Sequence, residues 1–88
     1  MSFSVNHAYN DAVKAALMAS VQDHCDYLVY LDAEGGYRFI RAEKGRLVIP
    51  CENAKYLGWT EFSIEGDIPT ARYFEFETPL TAEALTHW

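Results

Sequence analysis

Near the N-terminus the apolar positions recur with a helical period. Tyr9, Ala12, Val13, Ala16, Leu17, Ser20, Val21 and His24 fall at i, i+3, i+4 and i+7 spacing, which is one face of an α-helix. Asn10, Asp11, Lys14 and Gln22 occupy the other face. Asn6 is placed to cap the first turn, because its side-chain oxygen can accept from the free backbone N–H groups there. His24 is placed to close the helix, where a cation suits the negative end of the helix dipole. The alanines favour helix and allow close approach to a sheet, and Leu17 is expected at the centre of the buried face.

From Cys25 the period changes. Tyr27–Leu31 is an unbroken run of strand formers, suited to a central strand covered on both faces or to one with tyrosines on an open face. Asp32-Ala33-Glu34-Gly35-Gly36 reads as a hairpin loop and Tyr37–Ala42 as the returning strand. Glu43-Lys44-Gly45 predicts a second tight turn into a strand over Arg46–Ile49, with Pro50 ending it or marking an edge. Residues 51–59 fit either one helical turn closed by Gly58 or a loop laying Tyr56 and Trp59 over the sheet. Glu61–Glu65 and Arg72–Glu77 alternate as half-buried strands should, with Gly66-Asp67-Ile68-Pro69 as the loop between them and Thr78-Pro79 breaking the pattern. Thr81 is placed to cap a short C-terminal helical turn. The predicted architecture is α+β: one compact domain over residues 1–88, with an N-terminal amphipathic helix on an antiparallel sheet of four or five strands built as β-hairpins.

Composition bounds what this fold can do. A chain of 88 residues has a modest core, and the 15% aromatic share offsets that, since each ring can bury about 150–250 Å². No apolar stretch approaches the ~20 residues of a membrane helix, and the start lacks the basic and apolar regions of a signal peptide. The expected location is therefore cytoplasmic, with no membrane partner. The net charge of −6 is unevenly placed. Residues 1–37 carry −4, residues 38–46 carry +3 through Arg38, Arg41, Lys44 and Arg46, and residues 47–88 carry −5. An acidic total repels phosphates and argues against direct nucleic-acid binding.

No candidate chemistry reaches a recognisable constellation. His24-Cys25 pairs a thiol with an imidazole, but neighbouring strand side chains point to opposite faces. His7, His24, Cys25, Cys51 and His87 lack the ligand spacing of a zinc site. In a simple meander Cys25 and Cys51 sit about 15–20 Å apart at ~3.3 Å per residue, too far for a disulfide. Gly35-Gly36 precedes strand formers rather than a helix, so it is a turn and not a phosphate loop. The expectation is no catalytic residue, no metal and no cofactor.

The charge and aromatic pattern carries more. With Phe62, Ile64, Phe74 and Phe76 inward, Glu61, Glu65, Glu75 and Glu77 lie outward. One hairpin register sets Glu61 opposite Glu77 and Ser63 opposite Glu75. Tyr56, Trp59 and Tyr73 belong to a set of aromatics larger than one small core can bury, and such residues are enriched at binding hot spots. The leading reading is a small non-catalytic protein-interaction module that meets a basic partner surface through Glu61, Glu65, Glu75, Glu77, Tyr73, Trp59 and Tyr56. One concrete form is an inhibitor seated in the basic groove of a nucleic-acid-handling enzyme, of the type phages or mobile elements use against defence systems, with carboxylates where phosphates would lie. The alternative is a small-ligand-binding or enzymatic domain with a Tyr/Trp-lined pocket. A homodimer paired through an edge strand is a third reading.

Overall fold

The computed structural model describes residues 7–42 and 53–85. The Asn6 cap, the turn at residues 43–45, the strand at residues 46–49, Pro50, Cys51, His87 and Trp88 lie outside the described residues. The elements run α1 (His7–Asp23), β1 (Asp26–Leu31), β2 (Tyr37–Ala42), β3 (Lys55–Glu65), β4 (Ile68–Thr81) and α2 (Ala82–Leu85). The four described strands form one sheet in the order β2-β1-β3-β4, and the pairings among them are antiparallel. The α+β architecture with a helix on an antiparallel sheet and a short C-terminal helix is therefore present.

Strand β1 lies between β2 and β3, which accounts for its unbroken apolar run: Leu28, Val29 and Tyr30 are buried on alternating faces. One face carries Val29 under the buried Ala12 and Ala16 of α1, ringed by Tyr9, Val13, Tyr27, Tyr37 and Tyr73. The other carries Leu28, Tyr30 and Tyr56, closed by Ala54 and by Ala82 and Leu85 around α2. The helix approaches through its small residues. Ala12, Ala16 and Ser20 are its buried line, while Leu17 is half-buried at the flank rather than central. The reason is geometric, since small side chains four apart let the helix backbone lie close to the sheet.

Both ends of the helical connections are closed by local hydrogen bonds. The buried Ser20 hydroxyl donates to the Cys25 carbonyl at 2.5 Å, and Cys25 N–H donates to the Ser20 carbonyl at 3.3 Å. His24 takes the left-handed backbone conformation (φ 56°) that terminates helices and stacks its ring on Phe62 at 4.7 Å. Thr81 caps α2 by accepting from Ala84 N–H at 3.1 Å. The β1–β2 turn is organised by Asp32. Its carboxylate accepts from Glu34 N–H, Gly36 N–H and Arg38 Nε, and Arg38 holds that carboxyl below the usual carboxylate range.

The second half departs from expectation in three places. Residues 55–59 are neither a helical turn nor a loop: they open β3, which runs unbroken to Glu65. Ile68 and Pro69 belong to β4, so the connection shrinks to Gly66-Asp67, with Gly66 at φ 64°. Pro69 sits on β4, an edge strand among the described residues, where a missing N–H is tolerated. Thr78-Pro79 disturbs the ladder without ending the strand. Tyr56 pairs with Leu80 and Gly58 with Glu75, so Leu57 alone lies opposite residues 76–79.

The register also differs. Trp59 pairs with Phe74, Thr60 with Tyr73, Glu61 with Arg72 and Ser63 with Thr70. Glu61 therefore faces a cation instead of Glu77. Directly paired residues share a face, so Phe62 lies on the α1 side with Thr60 and Tyr73. Phe74 and Phe76 lie on the other side, the first stacked on Trp59 and the second tilted against it. No single apolar inner face joins the four residues, and the strand face bearing Tyr73 and Glu75 is the one α1 covers.

Candidate functional site

The ladder disturbance at Leu57 has a structural product. The residues of β4 looped past it, together with the first turn of α1 and the start of β2, enclose an open cleft of about 290 Å³. Tyr9 and Tyr37 supply two aromatic walls, their ring centres 5.5 Å apart and their planes tilted by 49°. Leu57, Phe76 and Pro79 supply apolar surface, and Glu75 and Glu77 supply the polar lining beside the tyrosines.

Behind the cleft runs a chain of hydroxyls. Tyr9 donates to Glu75 Oε2 at 2.5 Å, and the Tyr9 and Tyr73 hydroxyl oxygens are 2.8 Å apart. Tyr9 has one hydroxyl hydrogen, and the carboxylate takes it, so Tyr73 donates to the Tyr9 oxygen. Burial and the bond to Glu75 push the Tyr9 hydroxyl well above the ordinary phenol range, and burial raises Tyr73. Both phenols stay protonated at neutral pH, so neither supplies a phenolate base or nucleophile.

Tyr73 reaches this position only because Gly58 has no side chain. A Cβ at Gly58 would lie 2.3 Å from the Tyr73 hydroxyl oxygen and 2.4 Å from the Phe74 carbonyl oxygen. The glycine that closed a hypothetical helical turn in the sequence instead makes room for a ring in a strand.

The residues predicted for one acidic and aromatic face divide into three groups. Glu75, Glu77 and Tyr73 lie at or behind the cleft. Glu61 and Glu65 belong to the far part of the hairpin. Glu61 accepts from Trp59 Nε1 at 2.9 Å and faces Arg72 across the ladder, and Glu65 pairs with Arg72 at 3.3 Å. Trp59 is half-buried, with its ring 5.4 Å from Phe74 and 4.8 Å from Phe76. Tyr56 is fully buried and takes no part in an outer surface. Among the described residues, neither Glu75 nor Glu77 is in an ion pair. That contrast singles out the cleft: two carboxylates converge beside two tyrosine rings and meet no described cation.

Tyr9 and Tyr37 were not singled out as site residues by the sequence pattern. Tyr9 reads there as one more member of the buried helical face, and Tyr37 as the first residue of a hairpin strand. Cys25 is a half-buried free thiol, and His24 is engaged with Phe62. Among the described residues no three His, Cys, Asp or Glu side chains converge as a metal centre requires, and no helix is long and apolar enough to cross a membrane. Comparison of the chain with protein-family models, with curated proteins and with solved structures finds no match.

Proposed function

We propose that this domain is a non-catalytic protein-interaction module that engages a basic partner surface through its cleft and the adjoining part of β4. The observation that carries the reading is the pair Glu75 and Glu77, held beside Tyr9 and Tyr37 with no ion-pair partner among the described residues. Carboxylates that meet no described cation lower the cost of docking a positive group, and a net charge of −6 steers such a partner in. Protonated phenols beside the carboxylates suit binding and not proton transfer at neutral pH.

Affinity capture from the native host tests the reading, with wild-type, Glu77→Lys and Glu65→Lys baits compared at low and high salt. A partner held by wild type and Glu65→Lys, released by salt and lost with Glu77→Lys, supports it. Identical protein sets on all three baits overturn it. Where the captured protein handles nucleic acid, competition by duplex DNA tests the inhibitor form of the reading.

The cleft volume also favours a second reading, a site for a small organic cation. At about 290 Å³ the cleft sits at the floor of the ~300–1,000 Å³ range of small-molecule sites.

A further inference from the structure

We infer that the cleft between α1, β2 and β4 is a receptor for one arginine side chain of the partner protein. This inference rests on the interaction reading above and names the group that the acidic cleft accepts.

Three features select the ligand. The first is shape. Tyr9 and Tyr37 form a corner of two rings 5.5 Å apart and tilted by 49°. A planar, weakly hydrated guanidinium stacks on such rings, whereas a compact ammonium keeps its water more strongly. The second is charge and geometry. Glu75 and Glu77 line the same cleft, are exposed and have no ion pair among the described residues. Glu75 is already oriented by the hydroxyl of Tyr9, which fixes one oxygen and turns the carboxylate toward a fixed direction. Five N–H donors in a rigid fork can meet two carboxylates at once, which three donors on one nitrogen do less well. The third is the floor. Leu57, Phe76 and Pro79 present apolar surface of the kind that covers the methylene stem of a long basic side chain. The volume holds one such side chain and leaves little room for a nucleotide or other large cofactor.

The same construction explains why the site lies where it does. The β4 residues past Leu57 give Glu77 and Pro79 their place in the lining, and the Gly58 gap lets Tyr73 support Tyr9 from behind. A regular ladder would close the cleft, and any side chain at Gly58 would displace its back wall.

The test is a titration of the full chain with N-acetyl-arginine amide, followed by NMR of backbone and tyrosine ring signals. N-acetyl-lysine amide and N-acetyl-citrulline amide, the neutral isostere, serve as comparisons. The expected result is saturable shifts centred on Tyr9, Tyr37 and Glu77, with affinity on the order of millimolar for a ligand this small. Lysine amide binds several-fold more weakly and citrulline amide gives no saturable shift. Tyr37→Ala weakens arginine binding roughly threefold and Glu77→Gln roughly tenfold, with the thermal melt of each variant checked alongside. Glu75→Gln is the second carboxylate variant, so that a loss at Glu77 is not the sole evidence.

Equal binding of citrulline and arginine, shifts centred on Glu65 and Arg72, or affinity unchanged by Tyr37→Ala and Glu77→Gln overturns the inference. Failure here is separable from failure of the broader reading. If arginine amide does not bind while Glu77→Lys still abolishes partner capture, the arginine receptor is wrong and the interaction module stands. If arginine amide binds the cleft while capture ignores Glu77→Lys, the cleft is a cation site and the module reading falls.

Discussion

At the tip of the β3–β4 hairpin, Arg72 stands opposite Glu61 in the ladder and reaches Glu65 at 3.3 Å; at its root, Glu75 and Glu77 face an open cleft and no described cation. The tip is a two-stranded ribbon. β1 pairs with β3 only between residues 55 and 59. Beyond that the Tyr27 N–H donates to Thr60 Oγ1, the Phe62 N–H donates to Asp26 Oδ1 and His24 stacks on Phe62, and past Phe62 no third described strand pairs with the hairpin. Ile64 and Ile68 are 59% and 66% exposed there. The root has the opposite character, with a glycine gap, a disturbed ladder, a covering helix and half-buried phenols. Acids of one hairpin thus stand in two different settings. Where the strand supplies its own cation, the acid forms an exposed ion pair with it. Where it does not, the acid meets no described cation.

Glycine substitutions separate the two ends most sharply. At Gly58 the added Cβ would press on the Tyr73 ring and on the backbone carbonyl of Phe74, and a carbonyl within a strand cannot swing aside. Gly58→Ala is expected to destabilise the fold by about 3 kcal/mol, the upper end for overpacking a core. At Gly66 the space is empty and only the left-handed backbone (φ 64°) resists a side chain. Gly66→Ala is expected to lose about 1 kcal/mol. Urea denaturation of both variants measures the difference, and a larger loss at Gly66 would reverse the ranking of root and tip.

The polar contacts rank the same way. Tyr9→Phe removes the bond to Glu75 and takes the acceptor from Tyr73 inside a part-buried interface. A loss of about 1–2 kcal/mol is expected. Arg72→Gln breaks an ion pair between side chains that are 73% and 59% exposed. Screening by water leaves that contact roughly 0–0.5 kcal/mol. Paired thermal melts in low and high salt decide the matter, and an Arg72 effect exceeding the Tyr9 effect contradicts the picture.

The root should also carry a signature in alkali. The Tyr9 and Tyr73 hydroxyls ionise at higher pH in the folded protein than the 10.0 of an ordinary tyrosine. The folded state therefore holds those protons after the unfolded state has released them. Stability from this source is complete below pH 10, and it declines as pH rises beyond that value toward the folded-state ionisation. Melting temperature against pH, from 8 to about 11.5, should fall above pH ~10, and Tyr9→Phe should flatten the fall. An identical slope in wild type and Tyr9→Phe would mean that other groups carry the alkaline dependence.

The sequence pattern reaches α1, β1, β2, the helix-terminating role of His24 and the Thr81 cap, because each follows from contacts within a few residues. It does not reach the root of the second hairpin. Leu57 interrupts the alternation of β3, so Tyr56-Leu57-Gly58-Trp59 matches no period although every residue in it is in a strand. Register is equally out of reach. Pairing Glu61 with Arg72 instead of Glu77 puts Phe62 and Phe74 on opposite faces, and no local rule separates the two registers once the turn length is misjudged. Half of the cleft was visible as Glu75 and Glu77. Its aromatic half was not, because Tyr9 comes from a helix more than sixty residues distant in sequence, joining Glu75 across |i−j| = 66.

The smallest effect expected is also the cleanest check on the division. Ile64→Thr and Ile68→Thr replace the exposed branched side chains of the tip with another β-branched residue. With little burial to lose, each should move stability by no more than ~0.5 kcal/mol. Binding of arginine amide at the root should be unchanged, because the tip contributes nothing to the cleft lining. The hairpin would still be held by the Ser63–Thr70 hydroxyl pair at 3.0 Å and by Arg72–Glu65. A loss above ~1 kcal/mol would mean that the tip is packed against something and not a free ribbon. The β3–β4 hairpin would then have to be treated as one cooperative unit, with its acids at both ends answering to the same partner.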